Sequence, residues 1–196
     1  MDISANSSNR SRSVISVDGV SIDEVMVLLA AGLAGRGPAV NFTQTEIESV
    51  PSDVAVIVNT TGTTGDPKFV ALRTSAIVSS ARLSLNYLDA KPGDLWSLLL
   101  PIHHIAGVNV LVRCLELGTT PIDLRGEKKY IHVDFTAVVP TQIYSALNGD
   151  QDLLTHLQAA KKVLVGGAAL DETLYQSAIN AGTVSYTHLT LPTILR

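Results

Sequence analysis

The chain has 196 residues, 46% hydrophobic and 16% charged, enough for one ordinary domain or one and a half with a real core. A formal net charge of −4 with no basic stripe excludes a nucleic-acid surface, and no apolar run reaches membrane-spanning length. One cysteine, Cys114, excludes an internal disulfide and fits a reducing compartment, so the protein is read as cytoplasmic. Cys114 itself reads as a small apolar core residue rather than a nucleophile. In chain order, the polar opening "SANSSNRSRS" predicts a disordered lead-in over residues 1–20. Ser21 and Glu24 form a capping-box pattern that starts a helix from 22 to about 34, ended by "GRGP". Residues 54–58, "VAVIV", are a β-branched apolar run of strand length, expected as a central strand covered on both faces.

A polar loop, "NTTGTTGDPK", follows that strand at residues 59–68, and Thr74 then caps a helix through 87. "LWSLLLP" predicts a strand and "AGVNVLVRCLELG" a helix closed by Gly118. "TTPIDL" and "FTAVVP" predict further strands, the second followed by a short helix, "TQIYSAL". "KKVLVGG" predicts a strand running into glycines, and Asp171 caps a helix through 181. This alternation indicates an α/β fold, a mainly parallel sheet flanked by helices, with one domain over 21–183 and no linker dividing it. Ligands of such sheets collect where strand C-terminal ends meet the next loop. "NTTGTTGDPK", "PIHHIAG" and "VGGAAL" all fall at such ends.

The first of these loops carries the chemistry of polyphosphate binding. Gly62 and Gly65 let a ligand approach the backbone, and successive amides in such a turn form an anion-binding nest. The hydroxyls of Thr60, Thr61, Thr63 and Thr64 suit phosphate oxygens, and Lys68 supplies a point charge. The spacing is not that of a Walker A loop, because Lys68 lies three residues past Gly65. A plain solvent-facing turn would need neither the dense hydroxyl cluster nor the buried strand before it.

"TTGTTGDPK" resembles the phosphate-binding signature of the adenylate-forming enzymes, the acyl- and aryl-CoA ligases and their relatives. Thr60, Thr61, Gly62, Thr63, Thr64, Gly65, Pro67 and Lys68 match it in register, while Phe69 departs from a frequent glycine. "LLLPIHHIAGVNVLVRCLELG" resembles the family's second motif, with His104 at its histidine position, and "VLVGGAAL" resembles its Gly-Gly-Ala segment. "LPIHHIAGVNVLVR" and "VVPTQIYSAL" are most similar to the o-succinylbenzoate-CoA ligases of menaquinone biosynthesis.

The resemblance implies a ligase that joins a carboxylate to ATP and passes the acyl group to coenzyme A, with Mg²⁺ required. Thr60, Thr61, Gly62, Thr63, Thr64, Gly65 and Lys68 would then hold the phosphates. His104 would be the candidate catalytic histidine, bordering the acyl pocket and orienting the carboxylate rather than acting as a base. Gly166, Gly167 and Ala168 would wall the adenylate and acyl pocket. Arg113 could meet a second carboxylate of the substrate, against the plainer reading of a surface or helix-end cation. His103 draws no role, and His132 and His156 lack metal-ligand spacing. Partners are a small carboxylate, ATP and coenzyme A, with no nucleic acid, no membrane and no oligomeric state set by the sequence. Two alternatives stand beside this reading: a ligase for another aryl or fatty acid, and a non-catalytic nucleotide-binding fragment.

Residues 184–193, "VSYTHLTLPT", resemble the translation of a transposon-end sequencing adapter, so 184–196 are expected to be non-native. The resemblance places a metal-holding glutamate, a ribose-binding aspartate and a catalytic lysine in sequence beyond this point. The 196-residue chain is therefore expected to be inactive as it stands.

Overall fold

A computed structural model describes residues 10–61, 67–127, 130–168, 171–183 and 186–188, without the side chains of 60, 61, 67, 68 and 186–188. The chain divides into two compact units, Met1–Ser80 and Ala81–Arg196. The boundary falls inside a helix, and the segment expected as one domain, 21–183, runs across it.

The first unit contains β1 (Ser11–Ser16), α1 (Ile22–Leu33), β2 (Ala39–Asn41), β3 (Ser49–Pro51), β4 (Val54–Thr61) and β5 (Pro67–Arg73), and α2 (Thr74–Leu88) runs across its boundary. Its sheet has the order β3-β1-β2-β4-β5. The inner pairs β1–β2 and β2–β4 are parallel, and the outer pairs are antiparallel. Strand β4 lies between two neighbours, and residues 54–58 are all buried, as an unbroken apolar run requires. Helix α1 starts as its sequence predicts: the Glu24 amide donates to Ser21 Oγ, and the Ser21 amide donates to the Glu24 carboxylate.

The disordered lead-in is corrected over 11–16. Those residues form β1, and Arg12 explains why a polar stretch is ordered. Its guanidinium donates to the carbonyls of Gly37 (2.7 Å), Val54 (2.9 Å) and Gly32. One cation thereby bonds a carbonyl in the last turn of α1 and ties that helix to the start of β4. Residues 1–9 lie outside the described residues.

The second unit contains β6 (Trp96–Leu98), α3 (Ile105–Leu117), β7 (Ile122–Asp123), β8 (Phe135–Val138), α4 (Pro140–Leu147), α5 (Gln151–Ala159), β9 (Lys162–Val165), α6 (Glu172–Asn180) and β10 (Tyr186–His188). Its sheet is parallel throughout, in the order β10-β9-β8-β6-β7. Side chains alternate across a strand, and adjacent residues of β6 show which helix covers which face. Trp96 meets Arg113 of α3 on one face, whereas Ser97 meets His156 of α5 on the other. Val138, Val163 and Val165 join Ile143, Leu153 and Leu157 in a core between the sheet and α4, α5 and α6.

Expected punctuation recurs here too. Gly118 ends α3 in the left-handed region at φ 72°, and Asp171 caps α6 by accepting from the Leu174 amide at 2.9 Å. Strand β10 falls within the segment with the adapter-like sequence; its backbone pairs with β9, which requires no particular side chains. Among the described residues, no helix is long and apolar enough to cross a membrane.

Candidate functional site

The threonine-rich segment begins at the end of β4 and finishes in β5, which pairs antiparallel with it. Strands β4 and β5 pair Asn59 with Phe69, Thr60 with Lys68, and Thr61 with Pro67. Gly62, Thr63, Thr64 and Gly65 lie outside the described residues, and Thr60, Thr61 and Lys68 are described by backbone alone. Lys68, expected within a loop, is a strand residue directly opposite Thr60. At the end of neighbouring β2, the buried Asn41 closes a polar turn: its Oδ1 accepts from the Thr43 amide at 2.9 Å and the Thr43 hydroxyl at 2.8 Å.

In the second unit, the chain leaves β6 through α3 toward β7, and leaves β8 through α4 and α5 toward β9 on the other side. The direction of winding reverses between β6 and β8. In an open parallel sheet that reversal leaves a crevice at the strand C-terminal ends, the place where ligands bind. Residues 99–104 form one lip, and Val139 with the start of α4 forms the other. Gln142 joins them, accepting from the Val139 amide at 3.0 Å and donating to the Leu99 carbonyl at 3.4 Å.

His104 stands on the first lip as the N-cap residue of α3, with extended backbone and no side-chain capping bond. Its imidazole is therefore not committed to holding the helix start. Partial burial, with repulsion from His103 whose ring centroid is 4.3 Å away, lowers its pKa below the usual histidine value. At neutral pH it is an uncharged ring that can donate one hydrogen bond and accept another, which suits orienting a carboxylate. Gly107 fixes this lip. A Cβ there would lie 2.3 Å from the Pro101 carbonyl oxygen, so only glycine allows the first turn of α3 to seat against the loop.

Gly166, Gly167 and Ala168 follow β9 at the same edge of the sheet. Two inter-strand steps separate β9 from β6, or about 10 Å across the sheet. A Cβ on Gly166 would meet nothing within 4 Å, leaving open space above the strand end. Gly167 has φ +86°, where a side chain is strained, and its Cβ would come 3.1 Å from Val139 Cγ1. His104 and the glycine segment thus share one crevice edge in the second unit, while the threonine hairpin belongs to the first.

Arg113 is not the surface or helix-end cation of its plainer sequence reading. It is 5% exposed in the middle of α3, with Nε donating to Ser84 Oγ at 2.8 Å and its guanidinium 5.1 Å from the centre of the Trp96 ring. Burial lowers its pKa to about 10, so it remains a cation at neutral pH. The Mg²⁺ implied by the resemblance finds no fitting ligand set: no group of three His, Cys, Asp or Glu among the described residues could hold a metal ion. Gly107, Val139 and Gln142 escaped the sequence reading. The spacing of Gln142 behind Val139 was the available signal, since a Gln at the third helical position reaches back to the entry amide.

Across the sequence, residues 3–188 match the family model described as AMP-binding enzyme. The chain belongs to the AMP-binding enzyme family. It is 31% identical over 173 residues to the probable 2-succinylbenzoate–CoA ligase of Mycobacterium tuberculosis, covering 76% of this chain and 44% of that protein. The chain thus spans less than half the length of this curated relative. An acyl-CoA synthetase (AMP-forming)/AMP-acid ligase II-like protein from Dyadobacter fermentans superposes with a TM-score of 0.55 at 28% identity, over 61% of this chain and 36% of that one. The o-succinylbenzoate coenzyme A synthetase from Bacillus subtilis, solved in complex with AMP, shares the fold with a TM-score of 0.53 at 24% identity, over 71% and 38% of the two chains. The α/β architecture with its parallel sheet is that of the AMP-binding enzymes.

Proposed function

We propose that the whole protein is an ATP-dependent ligase that activates o-succinylbenzoate and transfers it to coenzyme A. In the first step a carboxylate oxygen attacks the α-phosphorus of ATP and pyrophosphate leaves, giving an acyl-adenylate. In the second the thiol of coenzyme A attacks the acyl carbon and AMP leaves. Such chemistry depends on positioning and on neutralising charge on the phosphates.

Backbone amides and hydroxyls from Thr60, Thr61, Gly62, Thr63, Thr64 and Gly65, with the Lys68 ammonium, hold the β- and γ-phosphates and the departing pyrophosphate. His104, neutral and free of capping duty, orients the carboxylate at the crevice. Gly166, Gly167 and Ala168 leave room for adenylate and aryl group, and Arg113 is the candidate for the substrate's second carboxylate. The observation that carries this reading is the hairpin register, which sets Lys68 opposite Thr60 at the end of the buried strand β4. The succinylbenzoate assignment is supported by the relatives' names and by the similarity of residues 100–113 and 138–147.

The test is pyrophosphate release by the full-length protein with o-succinylbenzoate against a panel of aryl and fatty acids. A preference for o-succinylbenzoate is expected, and equal or greater activity on another acid would replace that substrate. Lys68→Ala in the full-length protein should slow adenylate formation by about a hundredfold, the effect of removing one preorganised charge donor. Unchanged adenylation would remove Lys68 from the phosphate site.

A further inference from the structure

Three polar side chains are sealed inside the second unit, on the sheet face opposite Arg113: Ser97 and Thr136 are 0% exposed and His156 is 3% exposed. Ser97 Oγ lies 2.7 Å from Thr136 Oγ1 and 3.0 Å from His156 Nε2. His156 Nδ1 lies 3.1 Å from the Ile131 carbonyl oxygen. These contacts fix where the protons are. A carbonyl oxygen only accepts, so Nδ1 carries a hydrogen. In the neutral ring Nε2 is then a lone pair that accepts from the Ser97 hydroxyl, and Ser97 in turn accepts from Thr136. The chain runs one way, from Thr136 to Ser97 to His156 to Ile131, with every member satisfied.

A second proton on His156 would sit on Nε2, facing the Ser97 hydroxyl that now donates to it. Ser97 would have to reverse, and Thr136 would have to reverse after it. The resulting cation would be buried beside Leu153, Leu157 and Val163. Among the described residues, nothing opposite in charge meets the ring. Strands β6 and β8 contribute only Ser97 and Thr136, and Tyr130 stacks on the imidazole with centroids 4.9 Å apart. His132 is close enough to oppose a positive charge on the ring. The acids at the start of α5, Asp150 and Asp152, act on Tyr130. Among the described residues, none forms an ion pair with His156.

We propose that His156 is an acid-sensitive latch: neutral, it locks α5 to β6 and β8, and protonation releases that lock and loosens the sheet whose strand ends frame the crevice. Burial, assisted by His132, holds its pKa below the ordinary histidine value, in the direction this geometry requires. The sign follows from proton linkage. The unfolded chain takes up the proton first, so the contribution is complete above a pH of about 6.5, falls as the pH drops below it, and levels off once the folded ring is also charged.

The experiment measures urea unfolding of the 196-residue chain between pH 7.5 and 5, by the emission of Trp96, for wild type and His156→Gln, together with ¹⁵N NMR of the histidine rings. The folded-to-unfolded ratio of the wild type should fall by up to about tenfold more per pH unit than that of the variant over that window. NMR should show the Nδ1–H tautomer at pH 7 and a midpoint below 6.5. Parallel pH profiles, an Nε2–H tautomer, or a midpoint at or above 6.5 would overturn the latch. If His156→Gln does not fold, the tautomer and midpoint of the unaltered chain decide the matter.

Discussion

The Arg113 guanidinium lies over the face of Trp96, 5.1 Å from the ring centre, with Ser84 Oγ as its hydrogen-bond acceptor at 2.8 Å. Among the described residues, this buried cation meets the ring and one hydroxyl, with no carboxylate beside it. Removing the hydroxyl should therefore be costly for its size. Ser84→Ala is expected to destabilise the second unit by about 2 kcal/mol, the penalty of leaving a buried charged donor unmet. Arg113→Met should be milder than Arg113→Ala, because it fills the same volume without a charge to desolvate. Urea midpoints for the three variants check the order.

Gly107→Ala should destabilise the chain by about 3 kcal/mol, the upper range for forcing atoms into a packed site. Its Cβ would meet backbone, not a side chain that can swing away, so the 99–104 loop would have to move. Thermal unfolding measures the loss, and a displaced His104 ring resonance should accompany it. A neutral outcome would mean that the loop shifts freely.

Local chemistry made much of this fold readable from sequence. The Ser21–Glu24 box, the 54–58 apolar run, Gly118 and Asp171 act on neighbours within a few residues, and each stands where its sequence places it. What escaped is held by distant partners. Strand β1 is polar and weakly alternating; its clamp residue Arg12 bonds carbonyls 20 to 42 residues away. Strand β5 opens on a proline and pairs antiparallel with β4. Helix α5 had a usable signal in Asp150 with Leu153 and Leu157, but the place of His156 depends on strands it meets only after folding. In the candidate site, the strand ends were legible because glycine and proline mark them. The contacts that brace the crevice, Gln142 to Leu99 and Gly107 to Pro101, end on backbone carbonyls that no sequence pattern displays.

Arg12→Ala should cost the first unit about 3 kcal/mol, the order of two charge-assisted hydrogen bonds to carbonyls at the lower end of their range. Arg12→Lys should recover only part of this, because an ammonium lacks the planar fork that reaches several carbonyls at once. Comparing the two by chemical denaturation separates charge from geometry. Equal stability of Lys and wild type would assign the effect to charge alone.

Cys114 is buried, and desolvation raises its thiol to about 12. The reactive thiolate is therefore scarce at ordinary pH. Labelling with iodoacetamide at pH 8 should be negligible in the folded chain and rapid in urea. Prompt labelling under native conditions would contradict the buried position.

The two sheets ask very different things of a folding chain. In the first unit the β4–β5 hairpin joins residues as near as Thr61 and Pro67, a closure that takes microseconds, of order 1 to 10. In the second, the Ser97–Thr136 contact bridges a sequence separation of 39 and the Ser97–His156 contact one of 59. Loop entropy on that scale must be overcome before any parallel ladder returns a hydrogen bond, so this half of the chain should reach its native pairing last and leave its strand edges open meanwhile.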